Sequence, residues 1–321
     1  RPLPLDDAAS KKGQDGEDEK LALAHAPFLY ARANSIDRFT DLPLMIYYEI
    51  ERDKEKDAAD ELIVRYTTIF TNEDGGTPTA ALMARWGRTT DIEWTYEARF
   101  RRGVIVAETY QGVAHETKTY AGERVAGAHP ILAVASDNNN FSELACSAVR
   151  FAPLPVRARL ERATRESMMD GLMYRVMVEE LTREKRIGGS GSANVIGDPR
   201  EYLYLEAYGE QRGAALAFEV NDGGTSPVIR SDLGDARLRI ERSGYFQTTL
   251  RRPIAASVNL VARCYATNEE AAQRSCQKVR LGKVFILDQN FAPRALSFTP
   301  RAGEQPSLAP GETITYTLTQ Q

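Results

Sequence analysis

Asp91 and Glu93, two carboxylates one residue apart in Thr90-Asp91-Ile92-Glu93-Trp94, have the residue types and spacing best suited to chemistry in this 321-residue chain. The run is β-like, and strand side chains alternate between faces. Asp91, Glu93, Thr95 and Glu97 are therefore expected on one side, and Ile92, Trp94 and Tyr96 on the other. Like charges this close oppose each other's ionisation unless a positive group lies between them. A hard divalent cation (Ca²⁺, Mg²⁺ or Mn²⁺) meets that need, with Asp74 or Asn72 from the preceding polar turn adding oxygen ligands. Arginine meets it as well, and Arg85, Arg88 and Arg99 lie near in sequence.

The chain has three histidines, His25, His115 and His129. His25 sits against Ala26-Pro27-Phe28-Leu29 and reads as a packing residue. His115, in the polar stretch Gln111–Thr117, and His129, at the entry to an apolar strand, are candidates to ligate the ion or to act as general base. The turn Asp137-Asn138-Asn139-Asn140 supplies further oxygen atoms, so Asn138 and Asn139, with Arg88, are candidate ligand contacts. Asn140-Phe141-Ser142 forms a glycosylation sequon. No Gly-x-Ser-x-Gly elbow, His-Glu-x-x-His helix, Cys-x-x-Cys pair or dinucleotide fingerprint is present. Elbow hydrolases, zincins, zinc ribbons and Rossmann enzymes are thereby disfavoured.

The elements that must position these groups are mostly strands. Runs rich in β-branched and aromatic residues occur at 42–51, 62–71, 91–100, 104–110 and 130–135, with Arg101-Arg102-Gly103 as a tight turn and the charged residues 52–57 as a hairpin tip. Residues 157–186 carry partly helical spacing of Leu160, Met168, Met173, Val176, Met177 and Leu181, broken near Asp170-Gly171. That pattern reads as core packing. The Gly/Ser-rich stretch 187–198 reads as a boundary. β patterning returns at 201–208, 214–221, 236–242, 245–250, 257–265, 278–287 and 313–319. Tyr202, Tyr204 and Tyr208 share a face with Glu206 there, and Asp222-Gly223-Gly224 and Asp232–Asp235 read as turns. The expected fold is mainly β: two jelly-roll-like β-sandwich domains, 21–156 and 199–321, joined by a short helical connector and Gly/Ser linker, 157–198. Residues 1–20, charged and rich in Pro and Gly, are expected to be a disordered acidic leader.

Composition narrows the function. With 41 basic and 45 acidic residues the net charge is -4, so no overall positive field recruits nucleic acid. No run reaches the roughly 18 apolar residues of a membrane-spanning helix. The leader, and an opening residue that is not Met, suit a chain released from an export signal, hence a secreted or periplasmic protein. Cys264 and Cys276 flank a loop between two strands and either form a bridge or remain separate thiols. Cys146 reads as a buried small hydrophobe.

Gly87-Arg88-Thr89-Thr90-Asp91-Ile92-Glu93 resembles, in spacing, the Gly-His-Arg-His-Asp-Trp-Glu heptapeptide of the necrosis-inducing secreted proteins. It is also similar to the Asp-Trp-Glu segment of the vacuolar-protein-sorting sixty-two family. Ala128–Ala135, followed by its Asn-rich turn, resembles the His-containing strand of those families, so the likeness covers residues 60–140. The resemblance implies a β-sandwich on which Asp91 and Glu93 bind a divalent cation. Arg88 stands where the family has its first His, and Ile92 where it has Trp. The expected function is a two-domain β protein that uses a carboxylate-bound cation to bind a glycan or a lipid head group. The alternative is a metal-assisted polysaccharide lyase or hydrolase with His115 or His129 as general base.

Overall fold

The computed structural model describes residues 12–32, 41–52, 61–73, 76–144, 147–189, 192–221, 228–252, 257–267, 273–300 and 307–319. Asp74, Cys146, Asp222-Gly223-Gly224, most of the charged 52–57 segment and the first part of the leader lie outside them. The protein is mainly β, as its sequence implies.

Two compact units emerge, and their chain boundaries differ from the sequence-based ones. The first comprises residues 1–75 and 91–159, the second 76–90 and 160–321. The first unit begins with α1 (Lys12–Ala24), where a leader was expected. Its two glycines and weak apolar pattern make it marginal as an isolated helix. Tertiary contacts hold it: Tyr66 Oη donates to the Ala22 carbonyl at 2.6 Å, and Arg52 pairs with the buried Asp18. Both anchors are remote in sequence, so the local pattern does not reveal them.

The strands that follow are β1 (Phe28–Tyr30), β2 (Pro43–Arg52), β3 (Glu61–Phe70), β4 (Asp91–Arg101), β5 (Val104–Gln111), β6 (Thr117–Thr119), β7 (Arg124–Val125), β8 (His129–Val134), β9 (Phe141–Ser142), β10 (Arg150–Phe151) and β11 (Val156–Arg157). They form a sheet in the order β11-β2-β3-β4-β5-β6 and a smaller one in the order β10-β1-β8-β7, with β9 on β8. Positive φ at Arg102 and Gly103 makes the tight β4–β5 turn that the sequence indicates. One core joins the two sheets and α1, built from Ala22, Leu29, Val64, Tyr66, Tyr96, Phe100, Leu132 and Phe141 among others.

His25, half-buried, packs against this core, its ring 5.1 Å from Phe100. Burial pushes its pKa below the ordinary 6.5. The unfolded chain therefore takes up this proton before the folded one does, and stability falls as the pH drops below about 6.5. Urea unfolding between pH 7.5 and 5 is expected to show that decline, and His25→Phe to flatten it. An identical pH slope in the variant would refute the assignment.

The second unit contains α2 (Thr79–Trp86), α3 (Gly171–Arg183), β12 (Tyr202–Arg212), β13 (Ala214–Asn221), β14 (Ile229–Arg230), β15 (Gly244–Arg251), β16 (Ser257–Ala266), β17 (Ser275–Leu287), β18 (Pro293–Pro300), β19 (Ser307–Leu308) and β20 (Thr313–Thr319). These strands make one nearly closed, barrel-like sheet ordered β14-β13-β16-β20-β18-β17-β12-β15, with β19 on β17. Leu203, Leu205, Phe218, Phe246, Leu260, Val284 and Leu318 fill its interior. The segment 236–242, expected as a strand, is a short 3-10 turn followed by a single bridge from Ile240 to Leu216.

The helices pack on this sheet and do not act as a connector. α3 starts where the break was expected: the Asp170 side chain accepts from the Leu172 and Met173 amides at 2.9 and 3.0 Å. It buries Met173, Tyr174, Met177 and Leu181. Tyr204, whose strand face is shared with Tyr208, stacks on Phe285 at 4.9 Å and meets Tyr174, so that part of the tyrosine strip is packing. The Gly/Ser-rich stretch is folded back by the Ile187–Ile196 bridge, and the Ala193 carbonyl accepts from Ala80 N.

α2 lies in sequence among first-unit strands yet belongs to the second unit. Of its last four carbonyls, Met83 O accepts from Gly87 N at 2.9 Å and the other three lack a helical partner; β15 with its approach supplies donors to all four. Thr249 Oγ1 donates to Met83 O at 2.8 Å, Thr248 Oγ1 to Ala84 O, Arg242 to Arg85 O at 2.6 Å and Gln247 Nε2 to Trp86 O at 3.2 Å. Gly87 ends the helix at φ 67, and a Cβ there would stand 2.5 Å from Gln247 Nε2.

Candidate functional site

β4 carries the acidic pair, and a bulge decides where it points. Tyr66 pairs with Tyr96 but Thr67 pairs with Trp94, leaving Thr95 as an extra residue. The shift changes the alternation. Asp91 and Glu93 pair with Phe70 and Thr68, on the same face of β3 as Tyr66, Val64 and Leu62, which line the core. The acidic pair therefore faces inward together with Tyr96. Glu97 faces outward with Trp94 and pairs with Arg65. Simple alternation gave Tyr96 and Glu97 the opposite faces.

Both carboxylates are buried, Asp91 at 3 % exposure and Glu93 at 7 %. Charges at that depth need hydrogen bonds, and side-chain amides supply them. Asn139 Nδ2 donates to Asp91 Oδ2 at 2.9 Å and to the Asn72 carbonyl at 3.0 Å. Asn139 reaches them from the β8–β9 turn, where it adopts φ 47, a left-handed conformation that Asn tolerates. Asn72 in turn accepts from the Asp41 amide at 3.0 Å, and Arg32 bridges Asp41 to Asp137. Gln111, the last residue of β5, places Nε2 against both Glu93 Oε2 and His115 Nδ1.

His115 completes the group. The chain turns sharply after β5, with φ 61 at both Ala114 and His115, an uncommon conformation for either residue. The ring then stands with Nδ1 3.6 Å from Glu93 Oε2 and Nε2 2.8 Å from the Asn138 amide, while Asn140 lies 3.4 Å from Nδ1. Both ring nitrogens face amide nitrogens, Nδ1 that of Gln111 and Nε2 that of Asn138, and a neutral imidazole has one acceptor nitrogen, so the ring accepts from one of the two amides at a time. The imidazole is 54 % exposed, in contrast to the buried carboxylates behind it.

The arrangement unites Asp91, Glu93, His115, Asn138 and Asn139 of the residues singled out from sequence. Asp74 lies outside the described residues. His129 serves elsewhere: Nδ1 is 2.9 Å from the Ala26 carbonyl and the ring packs edge-on against Phe28. Arg88 is in the second unit, 2 % exposed, with Nε 3.3 Å from Glu166 Oε1, so it is a structural ion pair and offers no surface to a ligand. Asn140 of the sequon is 2 % exposed, which withholds it from glycosylation in the folded chain. Gln111, Arg32 and Asp41 were not anticipated. Gln111 lies beside the His115 stretch, but nothing local marks it as a partner of Glu93.

Two further atoms bear on a cation. Asn139 Oδ1 and Gln111 Oε1 are buried and find no hydrogen-bond donor among the described residues. Orphaned buried acceptors cost free energy. Each belongs to an amide whose nitrogen meets one of the two carboxylates, and carboxylate and amide oxygens are the donor type that suits Ca²⁺, Mg²⁺ or Mn²⁺. Among the described residues no group of three or more His, Cys, Asp or Glu side chains is placed to hold a metal ion, so an ion here would draw on the amide oxygens. No family model matches the sequence, and searches of curated proteins and of solved structures returned no match.

Proposed function

We propose that the first unit binds a divalent cation at Asp91 and Glu93 and, with it, engages a glycan or lipid head group outside the cytoplasm. The observation that carries this reading is the pair of inward-facing carboxylates beside the orphaned oxygens of Asn139 and Gln111. A hard ion held there supplies open coordination positions for hydroxyl or phosphate oxygens. The chain's own residues orient the ligand: Asn138 and the exposed His115 ring stand at the rim, and Gln111 fixes the ring against Glu93. A disulfide in the second unit, with both sulfurs buried, supports an oxidising compartment.

Calorimetric titration of Ca²⁺ and Mn²⁺ tests the reading. The wild type is expected to give saturable heat, Asp91→Ala none, and Asn139→Ala a site weakened roughly 10- to 100-fold. Folding of each variant is checked by circular dichroism. Equal heats in wild type and Asp91→Ala would remove the proposal.

His115 favours a second reading, an enzyme that moves a proton. Its strained backbone and the amide contacts at its two ring nitrogens hold an exposed imidazole against a buried carboxylate. Turnover of polyuronides or phosphodiesters, lost in His115→Ala and in chelator, would support this reading over simple binding. Turnover that survives His115→Ala would exclude it.

A further inference from the structure

The bulge that turns Asp91 and Glu93 inward also turns Trp94 outward. There Trp94 lines an open groove of about 430 Å³ with Arg65, Glu97, Thr109 and Thr117, one or two residues from each of β3, β4, β5 and β6. This volume falls in the ~300–1,000 Å³ range of small-ligand clefts. The groove lies on the outer face of the sheet, and no residue of the cation site lines it.

The two tryptophans of the chain are treated differently. The guanidinium groups of Arg85, Arg88, Arg165 and Arg242 all lie within 6 Å of the Trp86 ring centre, Arg242 nearest at 4.0 Å. Trp94, half-buried, stacks on no ring and no cation among the described residues. Beside it Arg65 Nε donates to Glu97 Oε2 at 2.8 Å, so the one cation and one anion of the groove cancel. The hydroxyls of Thr109 and Thr117 hydrogen-bond to no side chain or backbone group among the described residues.

An indole that lines the groove with no stacking partner among the described residues, two available hydroxyls and a neutralised Arg–Glu fork match a ligand that is flat and apolar on one side, hydroxylated at its edges and uncharged. A phosphate or a polyanion would require surplus positive charge, which the groove lacks. An apolar helix would require a continuous apolar strip, which Thr, Arg and Glu interrupt. We propose that this groove is a second ligand site that binds an uncharged oligosaccharide by stacking a sugar ring on Trp94, with Arg65, Glu97, Thr109 and Thr117 hydrogen-bonding its hydroxyls. The four strands hold these groups at fixed spacing, so the site is built before the ligand arrives.

The test is a titration of the full chain with soluble cello-, chito- and laminari-oligosaccharides, followed by tryptophan fluorescence and calorimetry, in chelator and in a Trp86→Phe background so that Trp94 reports alone. At least one of the three is expected to bind, with Trp94→Ala weakening it on the order of tenfold or more. Trp94→Tyr, which keeps a flat ring, is expected to retain most of the affinity, and Thr109→Val to lower it by a smaller factor. Circular dichroism of Trp94→Ala and Trp94→Tyr guards against unfolding, and the Thr109→Val result stands if Trp94→Ala does not fold. Binding must persist in Asp91→Ala. The proposal is overturned if none of the three binds, if affinity is unchanged in Trp94→Ala and Thr109→Val, if binding requires a divalent cation, or if only anionic polysaccharides bind and salt abolishes it.

Discussion

Glu166→Gln is expected to lower the stability of the second unit by about 3–5 kcal/mol, the range for breaking a buried ion pair from one side. Glu166 is 3 % exposed, and Arg88, its partner at 3.3 Å, is 2 % exposed. Burial alone would raise the carboxyl's pKa, but the guanidinium groups of Arg88, Arg165 and Arg242 outweigh it and hold it below the ordinary 4.5. The reciprocal effect appears at Arg242, which burial and the neighbouring arginines bring down to about 10 despite the favourable pull of Glu166. Removing the carboxylate leaves these cations facing one another around Trp86 with no counter-charge. Urea unfolding should show the loss, and Arg88→Met combined with Glu166→Leu should recover most of it, because a well-packed apolar pair replaces the ions. The sign with pH follows from the lowered value: the stabilisation is complete above about pH 4.5 and is lost as the pH falls through the folded-state value. Glu166→Gln should lack that acid limb. A midpoint unchanged by Glu166→Gln would show that the cluster does not depend on this charge.

Loss of the Cys264–Cys276 bridge is the second large effect. The bond joins β16 to β17, and both cysteines are fully buried in the second unit's core. Closing a loop with a sequence separation of 12 restricts the unfolded chain by about 3 kcal/mol. Cys264→Ala with Cys276→Ala is expected to lower stability by that amount, and a reductant to act on wild type only as the core opens. Denaturant midpoints with and without reductant measure it. Equal midpoints for oxidised, reduced and doubly substituted protein would show that the bridge contributes nothing.

Local chemistry made much of the fold legible in the sequence. Residues 214–221 and 313–319 are strands with the expected bounds, the first a mostly apolar run set off by Gly213 and the second a β-branched run preceded by Pro310-Gly311. Asp170 begins α3 because its side chain accepts the first amides of a helix, and Arg102-Gly103 turns because both adopt positive φ. The spacing of Asp91 and Glu93 places them on one face before and after the structure is known. The helix α1 and the place of α2 were not legible. Each owes its stability to donors and partners dozens of residues away, such as Tyr66 for α1 and Thr248, Thr249, Arg242 and Gln247 for α2.

The candidate site divides along the same line. Residue type and alternation alone select Asp91, Glu93, His115 and the Asn-rich turn as polar groups worth watching. Which way the acidic pair faces is decided by one unpaired residue, Thr95, whose bulge depends on the register of β4 against β3. Alternation is a property of a single strand, whereas a bulge exists only between two. His115 meets Glu93 for a similar reason: the β5 end, the left-handed turn at Ala114 and the β8–β9 turn converge only after both sheets have closed on one core. Composition and periodicity sufficed for a mainly β protein, and pairing between distant strands was needed to bring its buried carboxylates, their amides and an exposed imidazole together.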